Sequence, residues 1–190
     1  MWESTGLEGR STLRQINKNT GEVLAIYQIA DEYFGEGFTV AGGYGYQLTY
    51  KAKTGFKYDM SDLDKPVHKF NFDSTTGEGW GLTYDPQKNE LIMSDGSEYL
   101  HFWDPNTLVE KRKVKVVRQN GQKSDQINEL EFWNGRILAN VWYQDCIIVI
   151  HPETGKVEKE YGKSMSGLES FMWFYRLLAN LIGFFCRFRL

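Results

Sequence analysis

Apolar and polar residues alternate with a period of two over most of this chain, in short runs interrupted by polar turns. The clearest run is Ile137 to Trp142, in which Ile137, Ala139 and Val141 point one way and Leu138, Asn140 and Trp142 the other. Phe70, Phe72, Leu91, Met93, Ile147 and Val149 read in the same manner as packing positions of strands. No helical periodicity of comparable quality occurs before residue 165. Between the runs, Gly42-Gly43, Asp95-Gly96, Asn120-Gly121 and Asn134-Gly135 supply the residues that close tight hairpins, and each is expected to be a hairpin tip. Three of the four prolines, Pro86, Pro105 and Pro152, follow an Asp or His at a strand end, where a missing amide donor costs least. The pattern predicts an all-β chain.

A longer period lies above the alternation. Leu13 to Gly21, Phe56 to Asp62, Leu100 to Thr107 and Ile147 to Gly155 each run from a short strand into a polar turn. Aligned on Asn17, Asp59, Asp104 and His151, the copies recur at intervals of 42, 45 and 47 residues. A repeat of that length is the mark of a propeller blade, a small antiparallel sheet that must stack on copies of itself to bury both faces. The 190 residues hold about four such blades. Chemistry is then sought where blades converge.

Composition narrows the function classes. A hydrophobic fraction of 41% and a charged fraction of 25% fit a packed globular protein. The formal net charge of −3 offers no basic footprint for a phosphate backbone, so nucleic acid is not an expected partner. The one dense basic run, Lys111 to Lys115, reads as a solvated face of an outer strand. Two cysteines, Cys146 and Cys186, are too few for a disulfide framework, and Cys146 sits in an apolar run as a buried thiol. No charged n-region with a following apolar stretch opens the chain, so no signal peptide is read there.

The blade pattern stops after about residue 168, dividing the chain into a partial propeller over 1–168 and an apolar tail over 169–190. From Phe171 to Leu190 the polar punctuation disappears, and the apolar core within it, about 16 residues broken by Arg176 and Asn180, is shorter than the roughly 20 that span a bilayer. Three readings stay open for it: an interfacial amphipathic segment, a short membrane anchor, or a terminus foreign to the domain, the last being favoured.

Three segments recur at the starts of successive blades: Phe34 to Thr39, Gly77 to Thr83 and Ile127 to Phe132. They set Glu36, Glu78 and Glu129 at intervals of 42 and 51 residues, so the acids are expected at equivalent blade positions that converge on one end of the channel. A carboxylate among glycines and aromatic residues is partly desolvated, which raises its pKa toward neutrality and suits it to proton exchange. Glu36 and Glu78 are the candidates. The competing reading is that such glycine-flanked acids only cap turns. His68, His101 and His151 have no paired ligand spacing, so no metal is expected, and Asp95 and Asp104 read as surface-turn acids.

Several ordered strings resemble a known family. ESTGLEGRSTLRQ (Glu3 to Gln15), YFGEGFT (Tyr33 to Thr39), GWGLTYD (Gly79 to Asp85), IMSDGS (Ile92 to Ser97), INELEF (Ile127 to Phe132) and LANVWYQDCI (Leu138 to Ile147) are similar to the plant and bacterial type of glutaminyl-peptide cyclotransferase. The resemblance covers residues 1–168. It implies a five-bladed propeller without a cofactor or catalytic metal, and conversion of N-terminal glutamine of peptides or proteins to pyroglutamate with release of ammonia. It implies Glu36 as the proton-transferring acid, Asn128 as the holder of the amide or its oxyanion, and Phe34, Tyr50, Trp80 and Trp142 as the substrate-binding wall. Tyr50 stands where the family usually carries Trp. The family's opening strand and final blade, with its active-site Lys, have no counterpart between Met1 and Leu168. An open ring exposes a sheet edge and a blade face at each break, so this chain in isolation is expected to be unstable or inactive. The resemblance further implies a monomer once the ring is complete and residence in the secretory pathway or outside the cell. A function of another class, a catalytically inactive propeller that binds a peptide or protein, remains the alternative.

Overall fold

The computed structural model describes residues 1–62 and 66–162 in full and residues 184–188 as backbone. The described residues form four four-stranded sheets. The first contains β1 (Trp2–Gly6), β2 (Thr12–Ile16) and β3 (Val23–Gln28), with β16 (Phe184–Phe188) beyond β1. The second is β4 (Gly35–Ala41), β5 (Tyr44–Thr49), β6 (Thr54–Asp59) and β7 (His68–Asn71), joined in chain order. β8 (Leu82–Asp85), β9 (Glu90–Ser94), β10 (Tyr99–Trp103) and β11 (Glu110–Lys115) make the third sheet. The fourth is β12 (Ile127–Trp133), β13 (Arg136–Val141), β14 (Ile147–Ile150) and β15 (Val157–Tyr161). β1 and β16 run parallel, Trp2 opposite Phe184 and Gly6 opposite Phe188, whereas the other strand pairs are antiparallel. The rest of the apolar stretch 169–190 lies outside the described residues.

Each sheet is a blade, and three apolar layers hold the blades together. Leu13 of the first blade meets Phe38, Phe56 and Tyr58 of the second. Tyr46, Leu48, Phe70 and Phe72 of the second meet Leu82, Leu91, Met93 and Trp103 of the third. Ile92, Leu100 and Phe102 of the third meet Leu130, Ile137, Ala139, Val141 and Ile148 of the fourth. Cys146 is buried in that last layer. The period-two alternation is what gives the inner blades two apolar faces, and fully burying one such side chain contributes roughly 1.5–3 kcal/mol.

The sequence repeat maps onto the third strand of every blade and the turn after it. In each turn the anchor side chain accepts a backbone N–H two residues on: Asn19 to Asn17 Oδ1, Ser61 to Asp59 Oδ1, Asn106 to Asp104 Oδ1 and Glu153 to His151 Nδ1, at 2.8–3.2 Å. A short polar side chain that mimics a turn of backbone fixes these corners locally. Gly42-Gly43 and Asn134-Gly135 close the β4–β5 and β12–β13 hairpins with positive φ at all four residues. Asn120-Gly121 does not join two strands; it is the tip of a small turn between β11 and β12, closed by the Val117–Lys123 bridge. The run Lys111 to Lys115 lies on β11, the outer strand of its blade. Three of its cations form ion pairs, Lys111 and Arg112 with Glu90 at 2.9 Å and Lys115 with Glu98 at 3.9 Å.

Candidate active site

The innermost strands β4, β8 and β12 of three successive blades share one register. Phe38 pairs with Gln47, Leu82 with Met93 and Leu130 with Ala139, each four levels from the hairpin that follows. Two residues before that level stand Glu36, Trp80 and Asn128. The ladder is interrupted between Gly35 and Phe38 in β4 and between Ile127 and Leu130 in β12, and such bulges release a residue from pairing and re-aim it. Ser4 Oγ donates to the Glu36 carbonyl at 2.6 Å, and Ser94 Oγ donates to the Asn128 carbonyl at 2.5 Å, the same bond made from the preceding blade. The equivalent side chains are therefore Glu36, Trp80 and Asn128, not the three acids Glu36, Glu78 and Glu129 that sequence spacing aligned. Glu78 belongs to the loop before β8, where its Oε2 accepts the Trp80 indole N–H at 2.9 Å and its Oε1 lies 3.8 Å from Lys51 Nζ.

Glycine is required for these strands to approach so closely. Gly37 N donates to the Trp80 carbonyl at 2.7 Å, and a Cβ at Gly37 would meet the Leu82 nitrogen at 2.4 Å. At Gly81 a Cβ would meet the Asn128 carbonyl oxygen at 2.2 Å. The two bare positions let three blades converge on one point.

Glu36 is 5% exposed, and its Oε2 has no hydrogen-bond partner among the described residues. Burial pushes its pKa well above the usual carboxylate range, and the neighbouring Glu129 and Glu78 add to the rise. The contrast with Asp95, which is also fully buried, shows the cause. Asp95 suffers the same desolvation but accepts hydrogen bonds from the Thr76 and Ser97 amides, the Ser97 hydroxyl and His101, and its pKa falls instead. An unserved carboxyl stays protonated up to higher pH; a fully served one remains an anion.

The remaining expected residues form a buried carboxamide and two aromatic pairs. Asn128 is buried at 3% exposure. Trp80 and Trp142 pack edge to face with centroids 6.4 Å apart, and Phe34 and Tyr50 lie 5.9 Å apart at a 58° tilt. All four residues are half-buried. Backbone bonds lace the two pairs together, since Tyr50 N donates to the Phe34 carbonyl at 3.0 Å and Gly79 N to the Tyr50 carbonyl at 2.8 Å. Trp142 N reaches the Gln126 carbonyl at 2.7 Å, and Gln126 N the Gly96 carbonyl at 2.8 Å. A proton-exchanging acid, a carboxamide and aromatic walls suit a compact substrate group with a polar end. Among the described residues no group of three His, Cys, Asp or Glu is placed to hold a metal ion.

Sequence reasoning placed Glu129 in the acid series without choosing it as a candidate, and it misjudged Asp95. Glu129, 4% exposed, lies next to Asn128 and acts on Glu36 through space; its amide donates to Asn140 Oδ1 at 2.9 Å. Asp95, read as a surface-turn acid, is fully buried and joined to His101. The signal for the first was present in Asn128-Glu129, an acid beside a candidate ligand on a buried strand. The second has no local signal.

Comparison with known proteins adds an independent line. The family described as glutamine cyclotransferase matches residues 1–169. The chain is 39% identical over 157 residues to a protein of Arabidopsis thaliana named glutaminyl-peptide cyclotransferase, a match that takes in 83% of this chain and 47% of that protein. It thus spans about half the length of the curated relative it matches. Among solved structures, the glutaminyl cyclase of Myxococcus xanthus superposes with a TM-score of 0.74 at 26% identity, over 94% of this chain and 73% of that one. The hydrazine synthase of Kuenenia stuttgartiensis shares only the fold, with a TM-score of 0.55 at 10% identity over 84% of this chain and 48% of that one.

Proposed function

We propose, from the premise that this chain belongs to the glutamine cyclotransferase family, that the site around Glu36 converts N-terminal glutamine of a peptide or protein to pyroglutamate with release of ammonia. The observation that carries the proposal is the buried Glu36 carboxyl with its unpartnered oxygen and raised pKa, set at the blade position shared with Trp80 and Asn128.

The substrate's own α-nitrogen attacks the carbonyl carbon of its side-chain amide, so proximity is built into the reactant. The free amine, with a pKa of about 8, is partly neutral at working pH and competent to attack. As the C–N bond forms, Glu36 accepts a proton from the attacking nitrogen, and the carbonyl oxygen becomes an oxyanion. The Asn128 carboxamide is the group at hand to donate to it. Glu36 then returns the proton to the departing nitrogen, the old C–N bond breaks and ammonia leaves. Trp80, Trp142, Phe34 and Tyr50 form the wall that holds the compact lactam-forming conformer and keeps water out.

The test is ammonia release from a Gln-initiated peptide by the chain and by Glu36→Gln. The variant keeps the shape and removes the proton carrier, so kcat should fall about 100- to 10,000-fold with an unchanged circular dichroism spectrum. Equal measurable rates for the two proteins would overturn the assignment.

A further inference from the structure

Beneath the site runs a chain of polar contacts that the proposed chemistry does not use. The Trp80 ring lies against Gly96, where a Cβ would meet its Cη2 and Cζ2 at 2.7 Å. Gly96 is in the turn between β9 and β10, and Asp95 organises that turn by accepting the Ser97 amide at 3.0 Å and the Ser97 hydroxyl at 2.5 Å. The same carboxylate takes the Thr76 amide at 3.0 Å, while Thr76 Oγ1 donates to the Asp95 carbonyl at 2.7 Å. Thr76 Oγ1 in turn accepts the Glu78 amide at 3.2 Å, and Glu78 holds the indole N–H of Trp80. Trp80 is thus gripped on its face by the turn and at its nitrogen by the loop 74–78.

His101 locks both grips. It is 1% exposed, with Nε2 3.3 Å from Asp95 Oδ2 and Nδ1 2.5 Å from Glu110 Oε2. Resting on the reading of Trp80 as a substrate wall, we propose that His101 is a positioning residue: doubly bonded between Asp95 and Glu110, it fixes the turn and the loop that orient the Trp80 indole, and so sets substrate affinity rather than the rate of the chemical step.

The charge state of the imidazole decides whether the lock holds. Protonated, it donates from both ring nitrogens; neutral, it has one donor and one of the two carboxylates loses its bond to the ring. The charged groups facing it are Asp95 from the β9–β10 turn, Glu110 and Lys113 from β11, and Asp73 from the segment after β7. The neighbour across the β9 ladder is the uncharged Met93. Burial pushes the His101 pKa down, but the hydrogen bonds to Asp95 and Glu110 outweigh it and the net shift is upward. The lock is therefore complete below the ordinary imidazole pKa and is lost as pH rises through the raised one.

The experiment uses the full chain, Glu110→Gln, His101→Gln and a Trp80→Phe blank whose subtraction isolates Trp80 fluorescence. Expected is an alkaline transition in that fluorescence, which Glu110→Gln moves about one pH unit lower by removing a partly exposed charge and which His101→Gln abolishes. Where cyclisation is measured, KM should rise about tenfold through the same transition with kcat within about twofold, as expected when uniform binding alone is lost. A wild-type fluorescence signal without the transition, or a midpoint unmoved in Glu110→Gln, overturns the proposal. So does a rise in KM that ignores both substitutions. If His101→Gln fails to fold, the Glu110→Gln midpoint decides alone. Titrating fluorescence supports the lock whether or not the chain releases ammonia, and the Glu36→Gln comparison tests the cyclotransferase reading separately.

Discussion

Gly81 is where the architecture and the chemistry meet most tightly, and Gly81→Ala tests both. The new methyl carbon would stand 2.2 Å from the Asn128 carbonyl oxygen, 2.8 Å from Glu129 Cα and 2.9 Å from the Leu130 nitrogen. All three are backbone atoms of β12, so no side chain can swing aside. To restore ordinary contact the strand must retreat by about 1 Å, and overpacking of that kind costs about 1–3 kcal/mol. For a chain of this size the loss corresponds to a fall in Tm of about 2–12 °C. The displaced segment carries Asn128 and Glu129, and a misplacement of about 1 Å in a catalytic constellation costs on the order of 100-fold in rate. That factor is about 2.7 kcal/mol of transition-state stabilisation. The assay is kcat for ammonia release, measured well below the Tm found by circular dichroism for each protein. Gly45→Ala is the control. Its methyl would meet the Met60 sulfur at 2.6 Å and the Phe38 ring at 2.8 Å, at the far end of β4 from Glu36, so stability should drop while kcat holds. A Gly81→Ala protein with wild-type kcat and Tm would refute the convergence of β8 on β12 described above.

Two further outcomes follow from the electrostatics. Glu129 helps to raise the Glu36 pKa, so Glu129→Gln should lower it and move the acid limb of the kcat/KM profile to lower pH; a limb that stays in place or moves up contradicts the coupling. For Glu90, burial opposes ionisation, but the hydrogen bonds from Arg112 and Lys111 prevail and its pKa is lowered. Its stabilisation is therefore present above the ordinary carboxylate pKa and lost as pH falls through the depressed one, so wild type should exceed Glu90→Gln in Tm near pH 7 and converge with it in acid. A constant difference across that range would show that charge is not the cause.

The parts of the fold that were legible in the sequence are those that depend on neighbours in sequence. Ile137, Ala139 and Val141 declare a face because side chains alternate along a strand, and Asn17, Asp59, Asp104 and His151 mark corners because each caps an amide two residues away. Glu36, Asn128 and the four aromatic residues were named from motifs, and the structure places them at the same ends of the first two strands of their blades, Tyr50 and Trp142 just after β5 and β13. The phase of the acids was misread because bulges in β4 and β12 shift the register and because Glu78 lies in a loop rather than on β8; neither shift leaves a trace in spacing. The link of Asp95 to His101 and Glu110 was invisible for a related reason. It requires the turn between β9 and β10, a buried ring on β10 and an irregularity between Phe102 and Trp103 that resets β11 against it. Burial, not sequence, separates the anion of Asp95 from the solvated cap of Asp104.

One backbone address, repeated in three consecutive blades, carries an acid, an indole and a carboxamide. Geometry is thereby delegated to the repeat, and reactivity to the letter written at each copy. In the reaction proposed above, a point exchange at any of the three addresses would change what befalls a substrate while leaving the instructions for assembling the blades untouched, so the scaffold would offer separate handles on catalysis and on folding.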